Sequence, residues 1–397
     1  MNMKPLLKDI ADRIVSRENK DLGLLSGGIG DTIFLFEYSR FDPRYRDEAE
    51  AKFSSILSKV YDTCPHYSYC SGLAGIGLGC LYLSSEGFIL GNFEIGEEVD
   101  KYLYACLLNC IDQGNYDFLH GAIGIGFYFI ERYKQSSNPI IMKALLFLFE
   151  KIKASAIAFP QNNSVLYAWC SKNKNGVDVF DISLSHGSSH IILFLCELHD
   201  VLDSKYQPDI ENLLVGSMGF ILSHKIKNTH NSFFPYVVEK DEVFTLQTKG
   251  SRLAWCYGDL GVILALMKAH KTLPRLNFYN KARRLALYMT KRRNLSDNLV
   301  KDSSFCHGAS GISAIFAFLY EEFKDKELLN SYLYWLDTTK KMLTKDNLEF
   351  AYFNPITDEY EMHEGLLTGV AGVGLALLSY YRTEQPKLPW GKLFLIH

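Results

Sequence analysis

Apolar runs recur along the chain, and each of them opens on a pair of glycines spaced as Gly-x-x-Gly. The pairs are Gly27/Gly30, Gly72/Gly75, Gly121/Gly124, Gly258/Gly261, Gly308/Gly311 and Gly369/Gly372, and an imperfect copy at Gly187 has His190 in the second place. Successive first glycines are 45 to 71 residues apart, which is too long for one helix and suits a helical hairpin with variable loops. The pattern therefore predicts seven hairpin repeats.

The polarity of these segments predicts two layers of helices. The runs after the glycines are apolar on nearly every face, as a helix enclosed by other helices must be. We predict inner helices from these runs, for example at residues 76–83, 125–130, 262–267, 312–320 and 373–380. The segments between them have one charged face, which is typical of outer helices packed on an inner layer. They cover residues 47–61, 94–111, 140–154, 209–224, 280–293 and 326–344.

This alternation predicts an all-α fold, an α/α toroid (barrel) of seven inner and about seven outer helices. Two stretches interrupt the helical pattern, residues 233–250 and 348–362, and we expect short hairpins or extended loops there. A length of 397 residues alone would suggest two or three domains, but repeat units bury one another's apolar faces. We therefore predict a single domain over residues 1–397.

Composition and charge narrow the class of protein. Hydrophobic residues make up 48% of the chain and charged residues 22%, which suits a globular protein with a large core. The net charge of -3 and the lack of a dense Lys/Arg cluster argue against nucleic acid as a partner. The N-terminus lacks the apolar core of a signal peptide, and no apolar run approaches the roughly 18 residues of a transmembrane helix. The nine cysteines, Cys64 among them, are scattered along the chain, which suits reduced thiols. We expect a cytoplasmic protein without a transmembrane segment.

The residues directly before two of the glycine pairs are metal-ligating types. Cys256 lies two residues before Gly258, Cys306 lies two residues before Gly308, and His307 lies one residue before it. Because equivalent positions in neighbouring repeats lie at the same height, two thiolates and an imidazole are expected to meet there. This donor set selects zinc, and three protein ligands leave the fourth tetrahedral position open, as in a catalytic site.

The alternative is a structural role for the same residues. Cys256 and Cys306 are 50 residues apart, unlike the closely spaced ligands of a zinc finger. The two cysteines would then be buried thiols, and His307 would cap a helix. Cys70 provides an internal control, since it also lies two residues before its glycine, Gly72. Its repeat is expected across the ring from the other two cysteines, and we predict that Cys70 is not a ligand.

Other polar residues occupy the same ends of the predicted inner helices. Each of them precedes a first glycine by one to six residues: Asp117, His186, Arg252 and Tyr257. The inner helices would point their positive dipole ends at this rim and favour a bound anion. His120 and His363 also lie near repeat glycines, but lone histidines in such turns are often structural.

Taken together, these motifs resemble the lanthionine synthetase C-like family, which includes the cyclases of lanthipeptide biosynthesis. The resemblance is carried by Ala254-Trp255-Cys256-Tyr257-Gly258, Phe305-Cys306-His307-Gly308, Ser185-His186-Gly187 and Asp117 before Gly121. It implies a zinc-bearing α/α barrel that joins cysteine thiols of a precursor peptide to dehydroalanine or dehydrobutyrine. It also implies zinc ligands at Cys256, Cys306 and His307, and an active site lined by Asp117, His186, Arg252 and Tyr257.

The residue types suit such an addition. A free cysteine has a pKa of about 8.5, and coordination to zinc deprotonates it. Attack on the β-carbon of a dehydro residue produces an enolate, whose α-carbon must then be protonated. His186 is our candidate for this acid, oriented by Asp117. Arg252 or Tyr257 is the candidate for stabilising the enolate oxygen.

One repeat departs from the family pattern. His190 replaces the second glycine and follows His186 by four residues, which is about one helical turn. It either packs against the inner wall, which we favour, or adds a second imidazole beside His186. Several family members insert extended segments that handle the peptide or its leader, and residues 162–180 and 233–250 are the candidates here.

Three other functions are the alternatives, of which the sequence argues against the last two through the Trp255-Cys256-Tyr257-Gly258 context and the intact set of Cys256, Cys306 and His307. A family member could add glutathione or another thiol to dehydrated proteins, and a prenyltransferase-like zinc toroid could activate a peptide thiol. A non-catalytic repeat scaffold could bind a peptide through its rim. For the cyclase, the expected partners are the dehydrated precursor peptide, a lanthipeptide dehydratase and an export transporter.

Overall fold

The glycine-led runs form the inner helices in a computed structural model, which describes residues 2–63, 65–89, 96–161, 164–227, 231–343, 347–348, 351–381 and 388–397. These helices are α2 (Gly28–Ser39), α4 (Leu73–Ser85), α6 (Ala122–Ser136), α8 (Ser188–Val201), α10 (Asp259–Thr272), α12 (Ala309–Phe323) and α14 (Val370–Leu378). In every repeat the first glycine is the residue directly before the helix. All residues of α2 are buried, as an enclosed helix requires.

The outer helices follow the predicted charged segments. They are α3 (Arg46–Thr63), α5 (Glu97–Asp112), α7 (Pro139–Ser155), α9 (Gln207–Ser223), α11 (Tyr279–Met289) and α13 (Lys326–Met342), and α1 (Lys4–Ser16) precedes the first repeat. The expected start at Glu94, the expected end at Thr344 and the thiol of Cys64 lie outside the described residues. Helix α11 ends at Met289, before the predicted residue 293, and Arg292 beyond its end pairs with the buried carboxylate of Asp259.

Short antiparallel strands interrupt the helices. They are β1 (Ile157–Gln161), β2 (Ser164–Ala168), β3 (Cys170–Lys172), β4 (Asp178–Asp181), β5 (Val237–Glu239), β6 (Tyr352–Asn354) and β7 (Glu359–Glu361). The prediction of a hairpin within residues 348–362 is confirmed, since β6 pairs with β7. Residues 233–250 do not pair with themselves: β5 adds to β4, which also pairs with β3, and a 3-10 turn follows.

The chain divides into two compact units, Met1–Cys106 with Lys301–Ile396 and Leu107–Val300 with His397. In the first unit, inner helices pack in the order α12, α14, α2 and α4, so the last repeat lies beside the first. In the second unit, α8 packs between α6 and α10. The single-domain organisation expected from the repeats stays a prediction. Among the described residues, no helix is both long enough and apolar enough to span a membrane.

Backbone hydrogen bonds hold neighbouring repeats in register two residues before the first glycine. In the first unit, Cys306 N donates to Leu367 O (2.8 Å), Leu367 N to Leu25 O (2.8 Å) and Leu25 N to Cys70 O (2.9 Å). In the second unit, Leu184 N and Ser185 N both donate to Cys256 O at 3.2 Å. Residues at equivalent positions of bonded repeats therefore lie side by side.

The second glycine of a pair is required by close approach to the preceding turn. A Cβ atom on Gly75 would overlap the carbonyl of Tyr69, and one on Gly372 would overlap the carbonyl of Leu366. In both repeats the obstructing carbonyl belongs to the residue three before the first glycine. The glycines are therefore parts of the scaffold.

Candidate active site

Most inner helices are preceded by a tight turn that a side chain closes. In five repeats the residue six before the first glycine accepts a backbone N–H: Asp21 from Gly23 (2.7 Å), His66 from Ser68 (3.4 Å), Asn115 from Asp117 (3.2 Å), Asp181 from Ser183 (2.7 Å) and Asp302 from Ser304 (2.9 Å). Arg252 holds this place in the fifth repeat, and a guanidinium has no acceptor atom. Arg252 therefore cannot close its turn in this way, which makes it available for another role.

The four predicted active-site residues of the second unit line one cavity. Asp117, His186, Arg252 and Tyr257 surround a space of about 790 Å³. Strand β3 forms part of its wall. A cavity of this size suits a segment of a peptide or another small organic ligand.

The imidazole of His186 and the carboxylate of Asp117 form a hydrogen-bonded pair in this cavity. His186 Nδ1 lies 2.5 Å from Asp117 Oδ2, while Asp117 Oδ1 accepts the His120 N–H at 2.7 Å. Burial lowers the pKa of His186, but the Asp117 hydrogen bond and charge outweigh it, so the pKa lies above its usual 6.5. Burial likewise raises the pKa of Asp117, and the bond from His186 outweighs it, so that pKa is lowered. The pairing thus favours the protonated form of the imidazole.

Tyr257 and Arg252 complete this side of the cavity. The Tyr257 ring lies 6.0 Å from the His186 ring, centroid to centroid. Buried Arg292 donates to the carbonyl of Ser251 at 2.9 Å, which fixes the backbone next to Arg252. Gly258 has a φ of +103°, whereas the other first glycines have negative φ values. This conformation favours glycine and changes the course of the chain directly after Tyr257.

Cys256 is buried, and its backbone is held firmly within the second unit. Its carbonyl accepts the Ser185 hydroxyl at 3.1 Å in addition to the two N–H groups of the fourth repeat. The side chain is 3% exposed. A neighbouring repeat therefore fixes the position of this thiol.

Cys306 and His307 occupy the corresponding turn of the first unit. His307 Nε2 lies 3.0 Å from Asp302 Oδ2 and 3.4 Å from the carbonyl of Phe353. Asp302 is fully engaged, because its Oδ2 also accepts the Phe353 N–H at 2.8 Å. With Nε2 bonded to a carboxylate, Nδ1 is the nitrogen suited to a metal, which is the common arrangement of metal-binding histidines.

The donor set of these residues fits a zinc ion. Cys256 belongs to the second unit, and Cys306 and His307 belong to the first. Two thiolates and one imidazole are ligand types of catalytic zinc. A carboxylate that hydrogen-bonds the other nitrogen of the imidazole is the usual support of such a ligand.

Two residues of the candidate site, Asp181 and Asp302, were not identified from the sequence. Asp181 lines the cavity, and burial raises its pKa; Asp302 supports His307. Both lie six residues before a first glycine, a spacing that could have identified them. His363 contacts Thr368 and Glu361 at 2.8 and 3.2 Å, and the His120 N–H closes the Asp117 turn.

Comparison with known proteins places this site in a family. The family model described as lanthionine synthetase C-like protein matches residues 18–395. The chain therefore belongs to the lanthionine synthetase C-like family. A solved structure of nisin cyclase matches 100% of this chain and 98% of its own, with a TM-score of 0.71 and 18% identity. This likeness confirms the predicted fold class, an α/α toroid.

A weaker match is a cellobiose 2-epimerase from Bacillus thermoamylovorans B4167, at 12% identity and a TM-score of 0.45. It covers 96% of this chain and 100% of its own.

Proposed function

We propose that the protein is a zinc-dependent lanthionine cyclase. It adds cysteine thiolates of a dehydrated precursor peptide to dehydroalanine or dehydrobutyrine and so forms thioether rings. The observation that carries the proposal is the His186–Asp117 pair, hydrogen-bonded at 2.5 Å in a cavity that Arg252 and Tyr257 also line. Membership of the lanthionine synthetase C-like family supports the reaction class.

Cys256, Cys306 and His307 are the proposed zinc ligands. Bound there, zinc would lower the pKa of a coordinated substrate thiol and supply the thiolate at neutral pH. The role of the chain is to hold the donors in place. Asp302 orients His307 through Nε2, and the fourth repeat fixes the backbone of Cys256.

His186 is the proposed general acid. The thiolate forms a carbon–sulfur bond to the β-carbon, and the π electrons of the double bond move onto the carbonyl oxygen of the dehydro residue. His186 then delivers a proton to the α-carbon and regains one from solvent, which has taken up the proton that the thiol lost. The sum of the steps is addition of S–H across the double bond. The Asp117 carboxylate raises the pKa of His186 and so favours the protonated imidazole that this step needs.

Arg252 and Tyr257 are the proposed partners of the enolate oxygen. Both are hydrogen-bond donors on the wall that carries His186. A donor directed at developing negative charge stabilises the transition state more than the ground state. Holding a thiol and an alkene of one peptide in this cavity also removes much of the entropic barrier to ring closure.

The chemistry of the proposed substrate indicates which reactions must come before and after this step. A dehydratase must supply dehydroalanine or dehydrobutyrine, and an export transporter would receive the product. The thiols of the substrate must stay reduced until they react, so the proposed compartment is the cytoplasm.

Thiol counting tests the proposal directly. The zinc-loaded protein is incubated with a dehydrated, cysteine-containing precursor peptide, which is then alkylated and weighed by mass spectrometry. We expect alkylatable thiols to disappear while the mass of the unalkylated peptide stays constant, since an intramolecular addition conserves every atom. Unchanged thiol content would refute the proposal. A parallel sample with glutathione would reveal a thiol adduct instead, the mark of the alternative general thiol transfer.

A further inference from the structure

The fourth repeat places a large side chain where other repeats need glycine. His190 lies in the first turn of α8, at the position that Gly75 and Gly372 hold in their repeats. In those two repeats a Cβ atom would overlap a backbone carbonyl. His190 is nevertheless accommodated with 1% of its surface exposed. The local backbone has thus adapted to an imidazole at this site.

The contacts of His190 are directed at the segment that carries Asp117. Its Nε2 lies 3.2 Å from the carbonyl oxygen of Tyr116, and its ring lies 6.1 Å from the ring of Phe118. The imidazole therefore holds the residues on both sides of Asp117. Its other nitrogen, Nδ1, is buried.

The protonation state of His190 suits this contact. Burial lowers the pKa of His190 to about 4, against the opposing effect of Asp117, so the ring is neutral at neutral pH. A neutral imidazole has one N–H, and a carbonyl can only accept. Nε2 therefore carries the hydrogen and donates it to Tyr116. The ionisable groups near this region are Asp117 and His186 beside His190, with Asp181 and Cys256 acting on His186.

We propose that His190 is a positioning residue that holds the carboxylate of Asp117 against the imidazole of His186. His186 directly precedes the N-cap of α8 and His190 lies in its first turn, so one helix end carries both the acid and the support for the acid's partner. Asp117 belongs to the turn before α6, a separate element. The hydrogen bond from His190 to Tyr116 joins these two elements next to the reacting pair. Its catalytic consequence rests on the proposed function, whereas its effect on His186 does not.

Three variants of the full-length protein test this role. His190→Gln keeps an N–H donor close to the place of Nε2, His190→Leu fills the space without a donor, and His190→Gly restores the repeat consensus. The first measurement is titration of the His186 imidazole by NMR. Because Asp117 raises the pKa of His186, we expect a lower pKa in His190→Leu and His190→Gly and a nearly native one in His190→Gln.

Cyclisation kinetics provide the second readout. We expect kcat at neutral pH to fall about 2- to 5-fold in His190→Leu, no more than in Asp117→Asn, because less of the His186 acid is protonated. KM should change little, and kcat should largely recover in His190→Gln. A native His186 titration in both variants without a donor would overturn the proposal, as would a His190→Gln protein as impaired as His190→Leu. If His190→Leu does not fold, His190→Gly decides. If the wild-type protein does not cyclise the peptide, the proposed function fails, while the titrations still decide the role of His190.

Discussion

The turns of the second and fourth repeats have the same backbone plan and different chemistry. In the second, the Ser68 hydroxyl accepts the Ser71 N–H, and in the fourth the Ser183 hydroxyl accepts the His186 N–H, both at 3.2 Å. Side chains deeper in each turn thus fix the backbone. The position next to the glycine is then free to hold serine in one repeat and the proposed acid in the other.

The third repeat shows how one side chain takes both roles. Asp117 stands where the second and fourth repeats have the turn serine. One of its oxygens closes the turn at His120, and the other binds His186 of the next repeat. A serine could supply the first contact only. The comparison therefore separates the turn framework, which the repeats share, from the few side chains that carry the reaction.

Among the side chains proposed to carry the reaction, a metal ligand should have the largest effect on cyclisation when it is removed. We expect the wild-type protein to bind about one zinc per chain, and Cys256→Ala or Cys306→Ala to lose it. Cyclisation should fall on the order of 10³-fold, because the substrate thiol would lose the metal that deprotonates it. Cys70→Ala is the matched control, since Cys70 has the same offset from its glycine, and it should keep both metal and activity. Elemental analysis and thiol counting measure these outcomes; a metal-free wild-type protein with full activity would contradict the assignment.

The acid position should give the next largest effect. His186→Asn keeps a donor for Asp117 but has no transferable proton, so we expect zinc content to stay native and ring formation to slow about 10²- to 10⁴-fold. Ser71→Ala is the control at the equivalent position of the second repeat. Its turnover should stay near the wild-type rate, because it removes only a hydroxyl contact to Ser68. Equal rates for wild type and His186→Asn would exclude His186 as the acid.

Replacing a residue that supports a zinc ligand should reduce zinc binding less than replacing the ligand itself. Asp302→Asn replaces the carboxylate that binds His307 Nε2, and zinc affinity should fall about 10- to 100-fold. Asp21→Asn alters the turn-closing residue of the first repeat and should leave zinc affinity unchanged. Competition with a chromogenic chelator measures both variants. Equal affinities would show that Asp302 serves only its own turn and the Phe353 backbone.

The sequence determined the framework better than the connections between distant segments. Glycine spacing located the inner helices, because each first glycine directly precedes a helix, and it placed Cys256 and Cys306 at equivalent positions, with His307 next to Cys306. The pairing of β5 with β4 and the contact of Asp302 with Phe353 were not predicted. Both join segments about 50 or more residues apart, whose meeting depends on how intervening helices pack. No local pattern encodes such contacts.

The smallest predicted effect is a displacement of pH dependence in Asp117→Asn. The folded-state pKa of His186 is raised above 6.5, so the protonated acid persists as pH rises through 6.5 and is lost only above the raised value. Removing the Asp117 charge leaves burial as the dominant influence, which lowers the pKa of His186. The alkaline limb of the kcat profile should therefore move to lower pH, while the rates converge at acid pH, where both proteins hold the proton.

The pairing of His186 with Asp117 should also stabilise the folded protein in a pH-dependent way. The contribution of His186 is present in full below pH 6.5 and is lost as pH rises through its folded pKa. The contribution of Asp117 is present above pH 3.8 and is lost as pH falls through its lowered pKa. The wild-type protein should therefore exceed Asp117→Asn in Tm most clearly between these limits. Thermal unfolding across this range measures the difference, and parallel curves would mean that the hydrogen bond does not couple the two charges.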